Sequence, residues 1–246
     1  MQIYRGTIDL LDYVFYATTE RGRVYETGAF IHNYALVYAL GLVRSSTYTY
    51  THLRQEPHYE EELAPLNSCL YITPGTPQHV AHRLVQWNTL SEKYALPGKP
   101  PSLGYPDWGF ARVLRPGSRF LFYLLVRDPA ALPDAPALRD LLDGRPAWIR
   151  LGKFSGKARV QLQPADQVKE QKGPFFVESF LNWHDLKSDP VVCDVVVASL
   201  PTRLISRARF DNGEYYEACF GKDEVQLPAQ MCFLARPVKR SPGGRR

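Results

Sequence analysis

The order of the elements constrains this chain more than its composition does. A strand-like alternation over 2–10 leads into an irregular stretch containing Arg21-Gly22-Arg23, and then into a helix over about 30–40. Ile31, Tyr34, Ala35 and Tyr38 fall on one stripe of that helix, and Gly41 sits where a glycine can take the left-handed backbone that ends it. A polar segment over 44–63 closes on Glu60-Glu61-Glu62, and a short strand falls at about 68–73. The run RFLFYLLVR over 119–127 reads as a strand, Pro136–Leu142 as a short helix stopped by Gly144, and Ala147–Leu151 as another strand. The succession is β-α-β, an insertion, then β-α-β. It implies an α+β fold: a ferredoxin-like, RRM-type β-α-β-β-α-β domain over 1–151, with an insertion at about 74–118 between its second and third strands.

Within the insertion, Thr76-Pro77 has the form of a helix N-cap with proline at the first helical position, and Val80, Leu84, Trp87 and Tyr94 continue at helical spacings. A helix of about four turns is expected there. The segment 97–117 is too dense in proline and glycine for regular structure, yet it carries Tyr105, Trp108 and Phe110, so an ordered, projecting loop is expected. From Gly152 onward the runs 158–163, 191–198, 204–210, 214–220 and 225–234 are strand-like. They imply an antiparallel β-rich extension over 152–235, with Asp211-Asn212-Gly213 as a hairpin turn. Residues 236–246 hold five cations and no acid, the composition of a disordered basic tail.

Several classes fall away. The apolar runs are far shorter than the roughly 20 residues that cross a bilayer, so no membrane association is expected. No charged leader precedes an apolar core at the N-terminus, and Cys69, Cys193, Cys219 and Cys232 form no Cys-x-x-Cys pair. A reduced, cytoplasmic protein is expected. The net charge is only +5, but its distribution is uneven: 144–172 holds seven cations against two acids. With the tail, this segment leaves the rest of the chain acidic on balance.

The chemistry concentrates in W-I-R-L-G-K-F-S-G-K-A-R-V over 148–160, where Arg150, Lys153, Lys157 and Arg159 surround a loop with two glycines. Gly152 and Gly156 would let backbone N–H groups approach an oxyanion while the cations neutralise phosphate. The spacing is not that of a Walker loop, and Ser155 is not central in a G-x-S-x-G elbow. A solvated basic hairpin is the plainer alternative. His79 and His82 would share one face of the expected second helix, but no carboxylate or cysteine completes a metal site, and neither a metal nor a cofactor is expected. His32 and Asn33 open the first helix, with Arg23 and Tyr25 just upstream. Such a cluster could activate a ribose 2′-OH, or it could cap the helix and bond a base or phosphate. Tyr48 and Tyr50 could stack on bases or simply pack.

Met1-Gln2-Ile3-Tyr4-Arg5, Tyr16-Ala17-Thr18, Val24-Tyr25-Glu26-Thr27, Ile31-His32-Asn33-Tyr34-Ala35-Leu36 and Tyr38-Ala39-Leu40-Gly41-Leu42 resemble the start of the type I-D CRISPR subunit called Csc-one, the Cas-five-like member of that effector. Ile149-Arg150-Leu151-Gly152-Lys153-Phe154 with Lys157-Ala158 is similar to the family's second landmark. The resemblance implies a RAMP-type protein: a ferredoxin domain, a projecting thumb and a β extension. It implies a non-catalytic subunit of a Cascade surveillance complex that caps the 5′ handle of the crRNA. The implied partners are the backbone RAMP subunit, the large Cas-ten-like subunit and target double-stranded DNA near the PAM. The residues expected at RNA are Arg23, Tyr25, His32, Asn33, Arg150, Lys153, Lys157 and Arg159. The alternative is a metal-independent endoribonuclease acting on repeat RNA, with His32 and Tyr25 as its groups.

Overall fold

Strand β1 (Gln2–Leu10) pairs along its length with two partners, β8 (Arg119–Val126) on one side and β10 (Gly156–Pro164) on the other, both antiparallel. The computed structural model describes residues 1–22, 24–43, 58–89, 107–154, 156–198 and 202–236. With β4 (Leu70–Ile72), β5 (Thr76–His79) and β9 (Ala147–Leu151), these strands form the first sheet, in the order β4-β8-β1-β10-β9, with β5 also on β8. Helices α1 (Asn33–Ala39) and α3 (Pro136–Leu142) pack against β4, β9 and β10. Gly41 (φ +70°) and Gly144 (φ +77°) take the left-handed conformation just beyond them, as a helix stop requires. A five-residue helix α2 (Tyr59–Leu63) carries the acidic run.

The fold is mixed, rich in strands and poor in helices. A second sheet is built on β14 (Leu204–Phe220), flanked by β11 (Gln167–Val177), β12 (Leu181–Asn182), β13 (Val192–Val197) and β15 (Asp223–Pro228). Its Phe175, Phe210 and Phe220 join Ile8, Tyr71 and Phe122 of the first sheet in one continuous core. A third sheet has the order β2-β3-β7-β6, from β2 (Thr19–Arg21), β3 (Val24–Glu26), β6 (His82–Thr89) and β7 (Asp107–Leu114).

Several expectations are corrected. The helix expected from Thr76 is two strands: β6 pairs with β7 from His82↔Leu114 to Thr89↔Asp107. Leu84, needed for the core stripe of that helix, is 56% exposed. Pro77 sits in β5, which among the described residues pairs only with β8, so its missing N–H is tolerated. The projecting loop expected over 97–117 is strand β7 from Asp107 to Leu114; the rest of that expectation, up to 106, lies outside the described residues. The stretch around Arg21-Gly22 is a small hairpin of β2 and β3. The hairpin turn at Asp211-Asn212-Gly213 does not form, because β14 runs seventeen residues straight through it. There β11 stays paired on both sides, with Gly173 opposite Gly213 and a register shift just after. Strand β10, expected to open the β extension, instead joins the first sheet between β1 and β9. Arg236, at the start of the basic tail, is anchored by its Nε on Leu186 O at 2.7 Å and by an ion pair with Asp189; 237–246, like Tyr48 and Tyr50, lie outside the described residues.

Candidate nucleic-acid interface

Alternation along β9 and β10 sorts the basic hairpin into two faces. Ala147, Ile149, Leu151, Ala158 and Val160 point into the core, and Trp148, Arg150, Lys157 and Arg159 share the outward face. The register sets Arg150 opposite Lys157 and Trp148 opposite Arg159. Trp148 is 54% exposed, and the Lys157 ammonium lies over its ring, 4.6 Å from the centroid. The next strand adds Asp9, which stands between two arginines: Arg119 Nε donates to it at 2.6 Å and Arg159 Nη2 at 2.8 Å. Burial works to raise the Asp9 carboxyl, but the two arginines outweigh it and hold the group below its ordinary value. Arg159 is therefore largely neutralised by protein, although its Nε has no hydrogen-bond partner among the described residues. Further along the basic segment, Arg145 pairs with Asp140 and Asp143, and Lys169 with Glu217.

The glycines do something other than cradle an anion. A Cβ on Gly156 would lie 2.4 Å from the carbonyl oxygen of Tyr13, and one on Gly152 (φ +75°) would lie 2.7 Å from that of Phe15. The hairpin is seated on the backbone of 13–15, with Lys153 N–H bonded to Phe15 O at 2.8 Å and Phe154 stacked on Phe15 at 5.0 Å. Gly156→Ala is expected to cost about 2 kcal/mol, because backbone rather than a flexible side chain must move. For a chain of this size, that is a drop of about 4–8 °C in Tm, measurable by thermal unfolding.

Tyr25, His32 and Asn33 lie apart from this face. Arg23 is outside the described residues, and Tyr25 packs in the third sheet against Phe15, Ala111 and Val113. His32 is 5% exposed. Its Nδ1 accepts from Tyr34 N–H at 3.2 Å, capping α1, and its Nε2 meets Thr202 Oγ1 at 2.9 Å. Those bonds assign the proton to Nε2. Burial first, and the neighbouring His184 second, push its pKa down to about 3. Both ring nitrogens are thus engaged inside the protein.

Asn33 is fully buried in a network that the sequence reading missed. Thr202 Oγ1 donates to Asn182 Oδ1 at 2.8 Å, Asn182 Nδ2 to Asn33 Oδ1 at 3.2 Å, and Asn33 Nδ2 to Asp185 Oδ2 at 2.7 Å. Asp185 also accepts from Tyr34 OH at 2.8 Å, Tyr71 OH at 2.9 Å and Leu234 N–H at 2.9 Å. Burial raises its pKa to about 6, and those donors hold it from rising further. His79 and His82 fall on different strands, with His82 Nε2 bonded to Thr27 O at 3.0 Å. Among the described residues, no three His, Cys, Asp or Glu side chains are grouped to hold a metal ion, and no helix is long and apolar enough to cross a membrane.

The sequence model of the family described as type I-D CRISPR-associated protein Cas5/Csc1 matches residues 1–236. The chain belongs to the Cas5/Csc1 family. This Cas5/Csc1 chain is thus a CRISPR effector subunit. Among solved structures it is similar to a chain of the type III-B Cmr-beta complex bound to cognate target RNA and AMPPnP, at 11% identity over 90% of this chain and 86% of that one, with a TM-score of 0.45. It is also similar to a CRISPR protein from Archaeoglobus fulgidus, at 10% identity over 93% of this chain and 100% of that one, with a TM-score of 0.45. No match was found among curated proteins.

Proposed function

We propose that this Cas5/Csc1 chain binds and caps the 5′ handle of the crRNA in a type I-D surveillance complex, without cutting it, and helps to position target duplex at the PAM side. The observation that carries the reading is the outward face of β9 and β10, where an exposed tryptophan ring and the cations Arg150 and Lys157 share one surface. Such a face suits splayed bases on the ring and backbone phosphates on the cations. Family membership supports the CRISPR context.

The first sheet fits a ferredoxin-like RAMP domain when β10 takes the fourth strand position, beside β1, and β9 is an added edge strand. The third sheet, which joins the arms of the insertion, β6 and β7, to the β2–β3 hairpin, is then the thumb, and the second sheet is the extension. The neighbours in this reading are the backbone RAMP subunit and the large Cas-ten-like subunit. The burial of His32, with both ring nitrogens bonded inside the protein, supports a role without catalysis.

In this reading about three hairpin cations, Arg150, Lys153 and Lys157, meet phosphate while Arg159 stays with Asp9. Affinity for single-stranded RNA should therefore fall with salt at a log–log slope of about −2. Arg150→Ala with Lys157→Ala should flatten that slope by about 1.4. A titration of the double variant that follows the wild-type slope would remove this face from the RNA site. Labelled repeat RNA incubated with the protein in EDTA should stay intact, and a discrete product would restore the nuclease alternative.

A further inference from the structure

Beside the hairpin tip, between α1 and the segment 16–18, lies a cavity of about 350 Å³. Its wall is made of the rings of Tyr16, Phe30, Tyr34, Tyr38 and Tyr59, and Lys153 stands at its edge. Among the described residues that line it, alanine is the only aliphatic one. A pocket shaped for an aliphatic anchor from a protein partner would be walled by Leu, Ile or Met, whereas flat rings favour a flat ring between them. Its volume is at the lower end of the ~300–1,000 Å³ typical of small-ligand sites, which suits one nucleotide rather than a run of them.

Tyrosine hydroxyls on this wall are committed at three positions. Tyr34 OH donates to Asp185, Tyr38 OH to Glu62, and Tyr16 OH meets the Gly152 backbone. Tyr34 is 1% exposed and packs on Tyr59 with 4.9 Å between ring centroids, so the π surface on offer is chiefly that of the half-buried Tyr16, Tyr38 and Tyr59, and recognition would come from stacking more than from a hydrogen-bond pattern. Lys153 is exposed and makes no ion pair among the described residues, and its backbone bond to Phe15 fixes it at the cavity edge. Glu60 and Glu61 of α2 follow the wall residue Tyr59 and are exposed. A polyanion is therefore favoured at the Lys153 edge, on the hairpin that also carries Arg150 and Lys157, and disfavoured beside Tyr59.

We propose that this cavity holds one unstacked nucleotide of a single strand, with its base stacked on the half-buried tyrosine rings and its phosphate on Lys153. The proposal rests on the reading of the chain as an RNA-binding subunit and adds a second, stacking-dominated subsite to it. A guide RNA and a displaced DNA strand offer the same chemistry, and the test separates them.

The full-length chain is titrated with a short single-stranded RNA carrying 2-aminopurine, and with its DNA counterpart. Ala35→Trp fills the cavity from the half-buried outer side of α1. It should weaken binding by about tenfold and remove the 2-aminopurine quenching while leaving the salt slope unchanged, since stacking on one base is worth ~1–3 kcal/mol and releases no counterion. Lys153→Ala should instead flatten the slope by about 0.7. Ala17→Glu, at an exposed position of the rim, should weaken binding without touching the core and guards against a folding defect in the tryptophan variant. Tighter binding of RNA than DNA assigns the subsite to the guide, and the reverse assigns it to a DNA strand. Wild-type quenching and affinity retained in both alanine-position variants would overturn the cavity assignment alone. A tryptophan variant that loses a neighbouring subunit but keeps the oligonucleotide would also overturn it, in favour of a peptide occupant. Wild-type protein that binds neither strand would overturn both this subsite and the handle-binding reading.

Discussion

Asp185→Ala should lower stability by about 3–5 kcal/mol, a large part of the ~5–15 kcal/mol that holds a typical domain folded. The side chain is 0% exposed and accepts from four donors: Asn33 Nδ2, Tyr34 OH, Tyr71 OH and Leu234 N–H. Removing the carboxylate orphans Tyr34 OH, Tyr71 OH and Leu234 N–H in a site closed to solvent, while Asn33 Nδ2 keeps Ile72 O at 3.2 Å, and each unsatisfied buried donor costs ~1–3 kcal/mol before any relaxation. The donors come from α1, β4 and the segment after β15, so the loss also loosens the contact between the first and second sheets. Asp185→Asn keeps the shape and one accepting oxygen but turns an amide donor toward donors, and should cost about half as much. Asp189→Ala is the control: its carboxylate is 62% exposed and pairs only with Arg236 among the described residues, so a change within about 0.5 kcal/mol is expected. Urea denaturation decides it. Equal midpoints for Asp185→Ala and wild type would mean that the network does not hold the sheets together.

That network was illegible in the sequence for a physical reason. Nothing local distinguishes the acid in Trp183-His184-Asp185, and its partners Asn33 and Tyr71 lie 152 and 114 residues away. Elements that carry their own signals were legible: α1 and α3 end at glycines with positive φ, and β8 is a continuous apolar run. Elements decided by a distant partner were not. The residues of β6 satisfy helical spacing as well as strand alternation, and pairing with β7 settles the choice. Asp211-Asn212-Gly213 has strong turn chemistry, but the ladder with β11 overrides it. The candidate site divides in the same way. Trp148, Arg150, Lys157 and Arg159 meet because a hairpin is local. The role of Gly152 and Gly156 was misread because what they admit is the backbone of 13–15, more than a hundred residues earlier.

The second large effect depends on pH. His32→Asn should gain about 3 kcal/mol relative to wild type as the pH falls from 7 to 4. The folded pKa of His32 is pushed down from 6.5 to about 3, by burial first and by His184 second. The unfolded chain therefore binds a proton that the folded chain refuses. The stability from His32 is fully present above its unfolded value and is lost as pH falls below it, at about 1.4 kcal/mol per unit. Asparagine keeps an acceptor for Tyr34 N–H, a favoured helix cap, and removes the titration. Asp185 works in the opposite direction: its folded pKa is raised from 3.8 to about 6, mainly by burial. Its contribution is fully present below its unfolded value and is lost as pH rises through the folded one. Between about pH 6 and 4 the two slopes nearly cancel in the wild type, and removing His32 uncovers the Asp185 slope. Because Asp185 and His184 are present in both proteins, the difference between their urea-unfolding free energies isolates His32. A difference that stays constant from pH 7 to 4 would show that the imidazole can take up a proton in the folded chain, and the buried, bonded cap described above would then be wrong.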